Sequence, residues 1–432
     1  MIFTLKQYTK DIMDLLIYAL DTFQLAFWIV LSYWWIWAPV MLLLILLANL
    51  ESLNRAKYLA NLKWVMLEFK VPRTTRHSPK AMEQIFLALH SMPGMPKVPK
   101  SVGDRYKAWK DRFLNGKVPE WFSLEILGTG GEIHFYIRIL EQYRNLVESQ
   151  IYAYYPESEI TEVIDYMSSL PTSMPNEEFD VAGAEVGLVK EDTYPILTYE
   201  SFEEAKGNKD DAVRIDPLAP LAEALSVLNI GEYLGIQFLL RSADDSWVKK
   251  GQAVLDKIFD KPKPTVVNPV EGALNTFEAG VKSAFGNVPA EKKEEKKEGK
   301  SFGQLNPGMQ DVVKAIEQSF SKLGFQTGIR IFYTARRDRF NGSGRIGMVF
   351  GALKGFSSQA LNGFKSDSAP GPEAKGSFFN KYKSRDFTSK TFILTTEELA
   401  TVYHFPDIEI KTPALPRIET KKGEAPPGLP TV

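Results

Sequence analysis

The chain has 432 residues, of which 52 are basic and 53 acidic, so a globally basic nucleic-acid binder is not indicated. With no cysteine it has no disulfide framework, thiol nucleophile or cysteine-based metal site. Its four histidines (His77, His90, His134, His404) lack HExxH spacing, and nothing points to a zinc hydrolase.

Residues 1–21 carry Leu5, Tyr8, Ile12, Leu15, Leu16 and Ala19 at helical spacing, which predicts an amphipathic helix lying on a membrane surface. From Thr22 to Leu50 the chain is uncharged. A bilayer core about 30 Å thick needs roughly 20 apolar residues in a helix, and this run exceeds that. It is too long for a signal peptide, Asp11, Asp14 and Asp21 precede it, and no small-residue cleavage site follows. The expectation is an uncleaved transmembrane helix over 22–50. Trp28, Trp34, Trp35 and Trp37 crowd its first half as an interfacial aromatic belt would, and Pro39 is tolerable as a kink. Lys6 and Lys10 precede the run, whereas Arg55, Lys57, Lys63 and Lys70 follow it. That excess places the large C-terminal part in the cytoplasm.

The next block, 51–170, has a legible order. Val65, Leu67, Phe69 and Val71 alternate along a strand. Ser78-Pro79 starts a helix with Met82, Ile85, Phe86 and Leu89 inward. A Pro/Gly/Lys-rich excursion (Met92 to Lys117) leads to strands Trp121–Leu127 and Glu132–Ile139, split by Gly128-Thr129-Gly130-Gly131. A helix over Glu141–Tyr154 and a strand over Glu159–Tyr166 complete β-α-β-β-α-β, the ferredoxin-like plan.

Block 171–406 is expected to repeat the plan. Its strands are predicted at Tyr194–Tyr199, Tyr233–Ser242, Phe325–Arg336 and Lys390–Leu394. One helix carries Leu218, Leu221, Leu225 and Leu228; another carries Ile346, Val349, Phe350, Leu353 and Leu361. Helices Asp245–Phe259 and Met309–Leu323 form an insertion around a charge-alternating linker, 261–307, read as disordered, in which Ala273–Phe285 is a weak docking-helix candidate. The tail, 407–432, is Pro/Lys-rich and read as extended. The fold class is therefore α+β, with a single N-terminal transmembrane helix and two tandem ferredoxin-like domains.

Gly342-Ser343-Gly344-Arg345-Ile346-Gly347 matches GxGxxG, but Asp367, the acid at the required distance, lies in a Ser/Pro/Gly loop. The loop reads better as a cap before a helix. Arg336, Arg337, Arg339, Arg345 and Lys354 cluster beside it and are candidates for nucleic-acid phosphates or anionic lipid headgroups, with a solvated strand end as the plain alternative. Glu120, Glu125 and Glu132 read as the wet face of a sheet, and no Walker A pattern occurs. Thr395 and Glu398 form a capping box before a short helix, with His404 as a cap or core histidine. No catalytic, cofactor-binding or metal-ligating residue is assigned.

Three segments, Val65–Arg73 running to Gln84, Trp121–Ile126 running to Pro156, and Leu394–Pro406, resemble the membrane-anchored N-terminal region of bacterial type IV secretion/conjugation-like DNA-transfer proteins. In longer relatives a HerA/FtsK-like motor ATPase domain follows such a region; here the sequence stops at Val432. The resemblance implies a non-enzymatic platform in the bacterial cell membrane. It would act in a ring of copies, with a separately encoded motor ATPase as partner, membrane lipid as second partner and any nucleic-acid contact indirect. Tail residues Pro413, Pro416, Arg417, Pro426, Pro427 and Leu429 are then candidates for docking that partner.

Overall fold

The computed structural model describes residues 18, 20, 22, 24, 28, 32–70, 78–92, 94, 99, 101–203, 216–260, 301–387 and 390–406, with Trp37 as backbone only. The expected docking helix at 273–285 and the tail 407–432 lie outside the described residues, as does the surface helix at 1–21 apart from Tyr18 and Leu20. In chain order the first elements are α1 (Trp34–Asn61), β1 (Trp64–Lys70), α2 (Pro79–Leu89), α3 (Val102–Phe113), β2 (Phe122–Thr129), β3 (Glu132–Leu140), α4 (Arg144–Tyr154) and β4 (Glu159–Glu162). There follow β5 (Phe179–Leu188), α5 (Tyr199–Glu203), α6 (Ala219–Ser226), β6 (Tyr233–Ser242), α7 (Ser246–Ile258) and α8 (Pro307–Phe320). The last are β7 (Gly324–Arg336), α9 (Gly342–Leu353), β8 (Phe364–Ser368), α10 (Lys375–Ser384), β9 (Phe392–Thr395) and α11 (Thr396–Val402).

The chain divides into two units, residues 1–62 with 98–118, and residues 63–97 with 119–432. In the first, α1 is long and apolar enough to cross a membrane and continues through Pro39 to Asn61, past the expected end of the span at Leu50. Trp34 and Trp35 are exposed on it, as is Trp28 ahead of it in the chain. The Met92–Lys117 excursion contains α3, started by a Ser101/Asp104 capping box, which sequence reading passed over because its few apolar residues are diluted by charge.

The second unit is mixed α+β, built on a large antiparallel sheet of order β4-β1-β3-β2-β6-β7-β5-β8, with β9 paired to β7. The first four strands and the next four mirror each other about the β2–β6 seam. The β2–β3 hairpin turns on Gly130 (φ +58) and Gly131 (φ +85), a left-handed pair that side-chain-bearing residues resist. Two strand expectations are corrected. Residues 194–199 run from a loop into α5, and the strand is β5; its inward positions Ala182, Ala184 and Val186 are too small to stand out as an alternating apolar set. The fourth strand of the second half is β8 rather than 390–394, which is β9 on the end of β7; β8 is short and polar, Phe-Lys-Ser-Asp-Ser, and sits on the sheet edge. The expected strand to Tyr166 stops at Glu162, and α9 ends before Leu361.

Alternate residues of the five central strands β1, β3, β2, β6 and β7 face one apolar core: Leu67 and Phe69, Ile126, Phe135 and Ile137, Ile236 and Phe238, Ile329 and Ile331. Helices α2, α4, α6, α9 and α11 contribute the other side of that core through Ile85, Val147, Leu225, Val349 and Leu399. The segment Leu394–Phe405 is buried end to end. Tyr403 meets Phe86, Phe135 and Phe238, while Phe405 meets Phe69, Phe135 and Tyr155. It thus packs on strands from both halves. The opposite face of the sheet is closed in part by α10, whose Phe378, Phe379 and Tyr382 join Met167, Met174, Val181 and Phe332.

Candidate functional site: a polar row locked by Arg385

On that opposite face the strand registers bring one residue from each of eight strands into a line: Thr161, Glu68, Tyr136, Glu125, Gln237, Arg330, Glu185 and Ser368. Directly opposed residues share a face, so the line is a contiguous polar row across the sheet. Its middle is deeply buried: Glu125 and Gln237 are at 0 % exposure and Arg330 at 2 %. Buried charge is costly unless paired, and the pairing here is supplied from outside the sheet.

Arg385, just past α10, is held at φ 55 and is itself fully buried. Its Nε and Nη2 donate to the two oxygens of Glu125 at 2.9 and 3.1 Å. Nη2 also donates to Asp165 at 2.9 Å, and Nη1 donates to Asp165 and to the Lys383 carbonyl. All five guanidinium donors are thereby used. Its own carbonyl accepts from Trp121 Nε1 at 2.9 Å. Glu125 further accepts from Ser123 Oγ (2.7 Å), Tyr166 Oη (2.6 Å) and Gln237 Nε2 (3.2 Å), and Tyr382 and Tyr166 join through their hydroxyls at 2.9 Å.

The electrostatics follow from this geometry. Burial drives the Glu125 carboxyl up, but the Arg385 charge and the donated hydrogen bonds outweigh it and hold it below its ordinary value. Burial pushes the Tyr166 and Tyr382 hydroxyls well above theirs. Burial, then the neighbouring Arg385 charge, brings Arg138 down to about 10. None of these groups exchanges a proton near neutral pH. The network therefore acts as a lock between β2, β6, α10 and the Asp165–Tyr166 turn. Farther along the row His134 Nδ1 meets Glu68 at 2.7 Å, and that bond, ahead of the opposing burial, lowers the Glu68 carboxyl.

Glu125 is thus no wet-face carboxylate: the strand reading placed it on the right face but could not see the layer that covers it. Glu120 accepts from Tyr143 Oη at 2.6 Å, and Glu132 is exposed near His134. The five basic candidates separate. Arg336 at the end of β7 and Arg337 and Arg339 just past it are exposed, with carboxylates of Glu178, Asp180 and Asp338 within 4.0 Å. Arg345 turns inward and donates through Nη2 to Glu232 at 2.7 Å. Lys354 lies past the far end of α9, about 18 Å along a helix of that length. At the GxGxxG loop, the Asn341 side chain accepts from Gly344 N at 3.2 Å and caps α9. His404 is buried between the Ala400 carbonyl (2.8 Å) and Asp216 (3.1 Å). Trp37 contributes backbone to α1, and the tail candidates Pro413, Pro416, Arg417, Pro426, Pro427 and Leu429 lie outside the described residues.

Sequence reading missed Arg385, Asp165 and Gln237. No spacing could have joined them, because the three come from separate segments that only the tertiary fold brings together. A family model described as a domain of unknown function (DUF8128) matches residues 107–417, from within α3 into the segment after α11. No curated protein matches the chain.

Proposed function

The chain belongs to the DUF8128 family, and on its architecture we propose that it is a non-enzymatic membrane platform of a type IV secretion-like translocation machine, holding a motor ATPase at the bilayer. The observation that carries this reading is the use made of the three segments that resemble such proteins. Each builds scaffold: β1 with α2, the β2–β3 hairpin with α4, and β9 with α11, all packed in one apolar core. The strand order β4-β1-β3-β2, met again as β8-β5-β7-β6 from the other edge, supports a tandem ferredoxin-like arrangement of the two halves. The buried ionisable groups of the polar row are taken up in pairing, Glu125 with Arg385, Glu68 with His134 and Arg330 with Glu185, as suits a rigid support. Arg55, Lys57, Lys63 and Lys70, all after the uncharged run, favour a cytoplasmic location for the sheet unit in a bacterial cell membrane, and a ring of copies suits the motor's own symmetry.

The full chain, extracted from native membranes in lipid nanodiscs and cross-linked through its lysines, tests this. The expected result is a HerA/FtsK-like ATPase cross-linked at defined sites. Removing residues 412–432 should release that ATPase while the chain stays in the membrane. Cross-linking that yields no ATPase of this class overturns the platform reading; an ATPase retained after the deletion overturns docking by the tail alone. A second reading, direct contact with nucleic-acid phosphates, is favoured by the exposure of Arg336, Arg337 and Arg339 at one strand end. Salt-dependent DNA binding abolished by neutralising those three would carry it.

A further inference from the structure

In the first unit α3 is pinned to α1 at a definite height. Arg112 Nε donates to Glu51 Oε1 at 2.7 Å, and Asn54 Nδ2 donates to the Phe113 carbonyl at 2.8 Å. Gly116 (φ +62) closes the turn after α3 against the Asn54 backbone, where a Cβ would lie 2.2 Å from the Asn54 carbonyl. The uncharged run ends at Leu50, and Glu51 is the first charge after it. At 1.5 Å per residue, Glu51 and Asn54 lie about 1.5–6 Å beyond that end. A headgroup layer is roughly 5–8 Å deep on each side of the hydrocarbon. With α1 across a bilayer, the C-terminal end of α3 is therefore fixed inside that layer.

The composition of α3 matches the place. Val102, Tyr106, Trp109 and Phe113 recur at helical spacing, with Tyr106 stacked on Trp109 (6.1 Å) and Trp109 against Phe113 (5.8 Å). Val102, Tyr106, Trp109 and Leu114 stand 83 %, 63 %, 48 % and 55 % exposed. Of the acids on α3, Asp104 serves the capping box and Asp111 is held by Asn115 and Lys117, whereas Arg105, Lys107 and Lys110 are exposed. Aromatic side chains favour the membrane–water boundary, and each cation near an anionic leaflet is worth about a fivefold change in a docking ratio.

We propose that α3 is an interfacial helix that seats its Tyr106–Trp109 stripe among the headgroups and holds anionic lipid through Arg105, Lys107 and Lys110. This rests on the reading of α1 as a membrane span, and it assigns the protein a lipid contact separate from the span and from the Arg336–Arg345 cluster. It would fix the height at which the platform sits on the bilayer.

The chain lacks cysteine, so a single introduced one reports a single place. The full chain carrying Val102→Cys or Leu44→Cys, spin-labelled, is reconstituted in nanodiscs of phosphatidylcholine with or without phosphatidylglycerol. Collision with oxygen and with a water-soluble nickel chelate then gives each label's depth. The expected result is the Leu44 label in hydrocarbon and the Val102 label at headgroup depth in the anionic discs. Chelate access at Val102 should rise severalfold in zwitterionic discs and again on Arg105→Gln/Lys107→Gln/Lys110→Gln. A Leu44 label in hydrocarbon with a Val102 label equally open to chelate in both lipids overturns the proposal and leaves the span intact. A Val102 label shielded alike in both lipids and in detergent assigns the face to protein and also overturns it. A Leu44 label open to chelate removes the span, and the proposal falls with it.

Discussion

Glu125 and Arg385, 260 residues apart in the chain, form a two-pronged ion pair in which neither side chain is exposed. Glu125 lies on β2 at the seam between the two halves of the sheet, and Arg385 follows the helix that covers the second half. The pair therefore ties the cover to the seam. Its value lies in what happens when it is broken, since a buried charge left without its partner costs far more than the intact pair contributes.

Arg385→Met should accordingly lower stability by about 3–5 kcal/mol, because Glu125 and Asp165 lose their common partner. Glu125→Gln/Arg385→Met, which removes both charges, should recover part of that loss. Denaturant unfolding of the full chain in detergent, run on both single variants and the double, measures the coupling. Losses that simply add would show that the two residues are not coupled.

The cover fits the sheet because two strand positions have no side chain. A Cβ on Gly235 would lie 2.1 Å from Tyr382 Oη, and one on Gly183 would lie 2.0 Å from a Phe378 ring carbon. Both glycines stand opposite Phe332, the residue on which α10 packs. Gly235→Ala should cost about 1–3 kcal/mol through overpacking and displace the Tyr166–Tyr382 hydrogen bond. Tyr382→Phe in the same chain removes the clashing oxygen and should return part of the loss. Failure of that rescue in a thermal melt would place the strain elsewhere.

These particulars also explain what could be read from sequence. Val65, Leu67 and Phe69, or Ile133, Phe135 and Ile137, alternate strongly because they face one deep apolar core, and the strands they lie on were legible. In β5 the slot for α10 requires Gly183 and the inward residues are small, so the alternation fades and the sequence pattern points to 194–199 instead. β8, a short polar edge strand, carries no periodic signal. Glu125 was visible only as a polar strand residue, and its burial depends on Arg385 and Tyr166, supplied by segments far away in sequence. Periodicity reports which face a residue takes; it is silent about what covers a polar face.

Glu232 and Arg345 set an acid limit. Glu232 is 2 % exposed and accepts from Tyr333 Oη (2.6 Å), the Asn229 backbone and side chain, and Arg345. Burial alone would raise its carboxyl, but those donors bring it down to about 2 from an ordinary 4.5. Between these values the unfolded chain binds more protons, so this stabilisation is present above pH 4.5 and is lost as pH falls toward 2. Arg345→Gln should cost about 1–3 kcal/mol near neutral pH and move acid unfolding to higher pH. Acid titration followed by circular dichroism compares the two proteins; superimposable acid limbs would remove Glu232 from the account.

Glu398 acts in the opposite direction. It closes the capping box of α11: one carboxyl oxygen accepts from Thr395 N (2.8 Å) and Thr395 Oγ1 (2.9 Å), the other from Ile196 N (2.9 Å). Burial outweighs these donors and pushes its carboxyl up to about 7 from an ordinary 4.5. Here the folded chain binds the extra proton, so the contribution is full below pH 4.5 and is lost as pH rises through 7. A shift of that size corresponds to about 2–4 kcal/mol between pH 4.5 and 8. Gln can still serve a capping box, so Glu398→Gln should fold, lose the Ile196 bond and flatten the decline in stability from pH 5 to 8. Unfolding free energies at four pH values across that window decide it. A decline of equal slope in the variant means that another group titrates there.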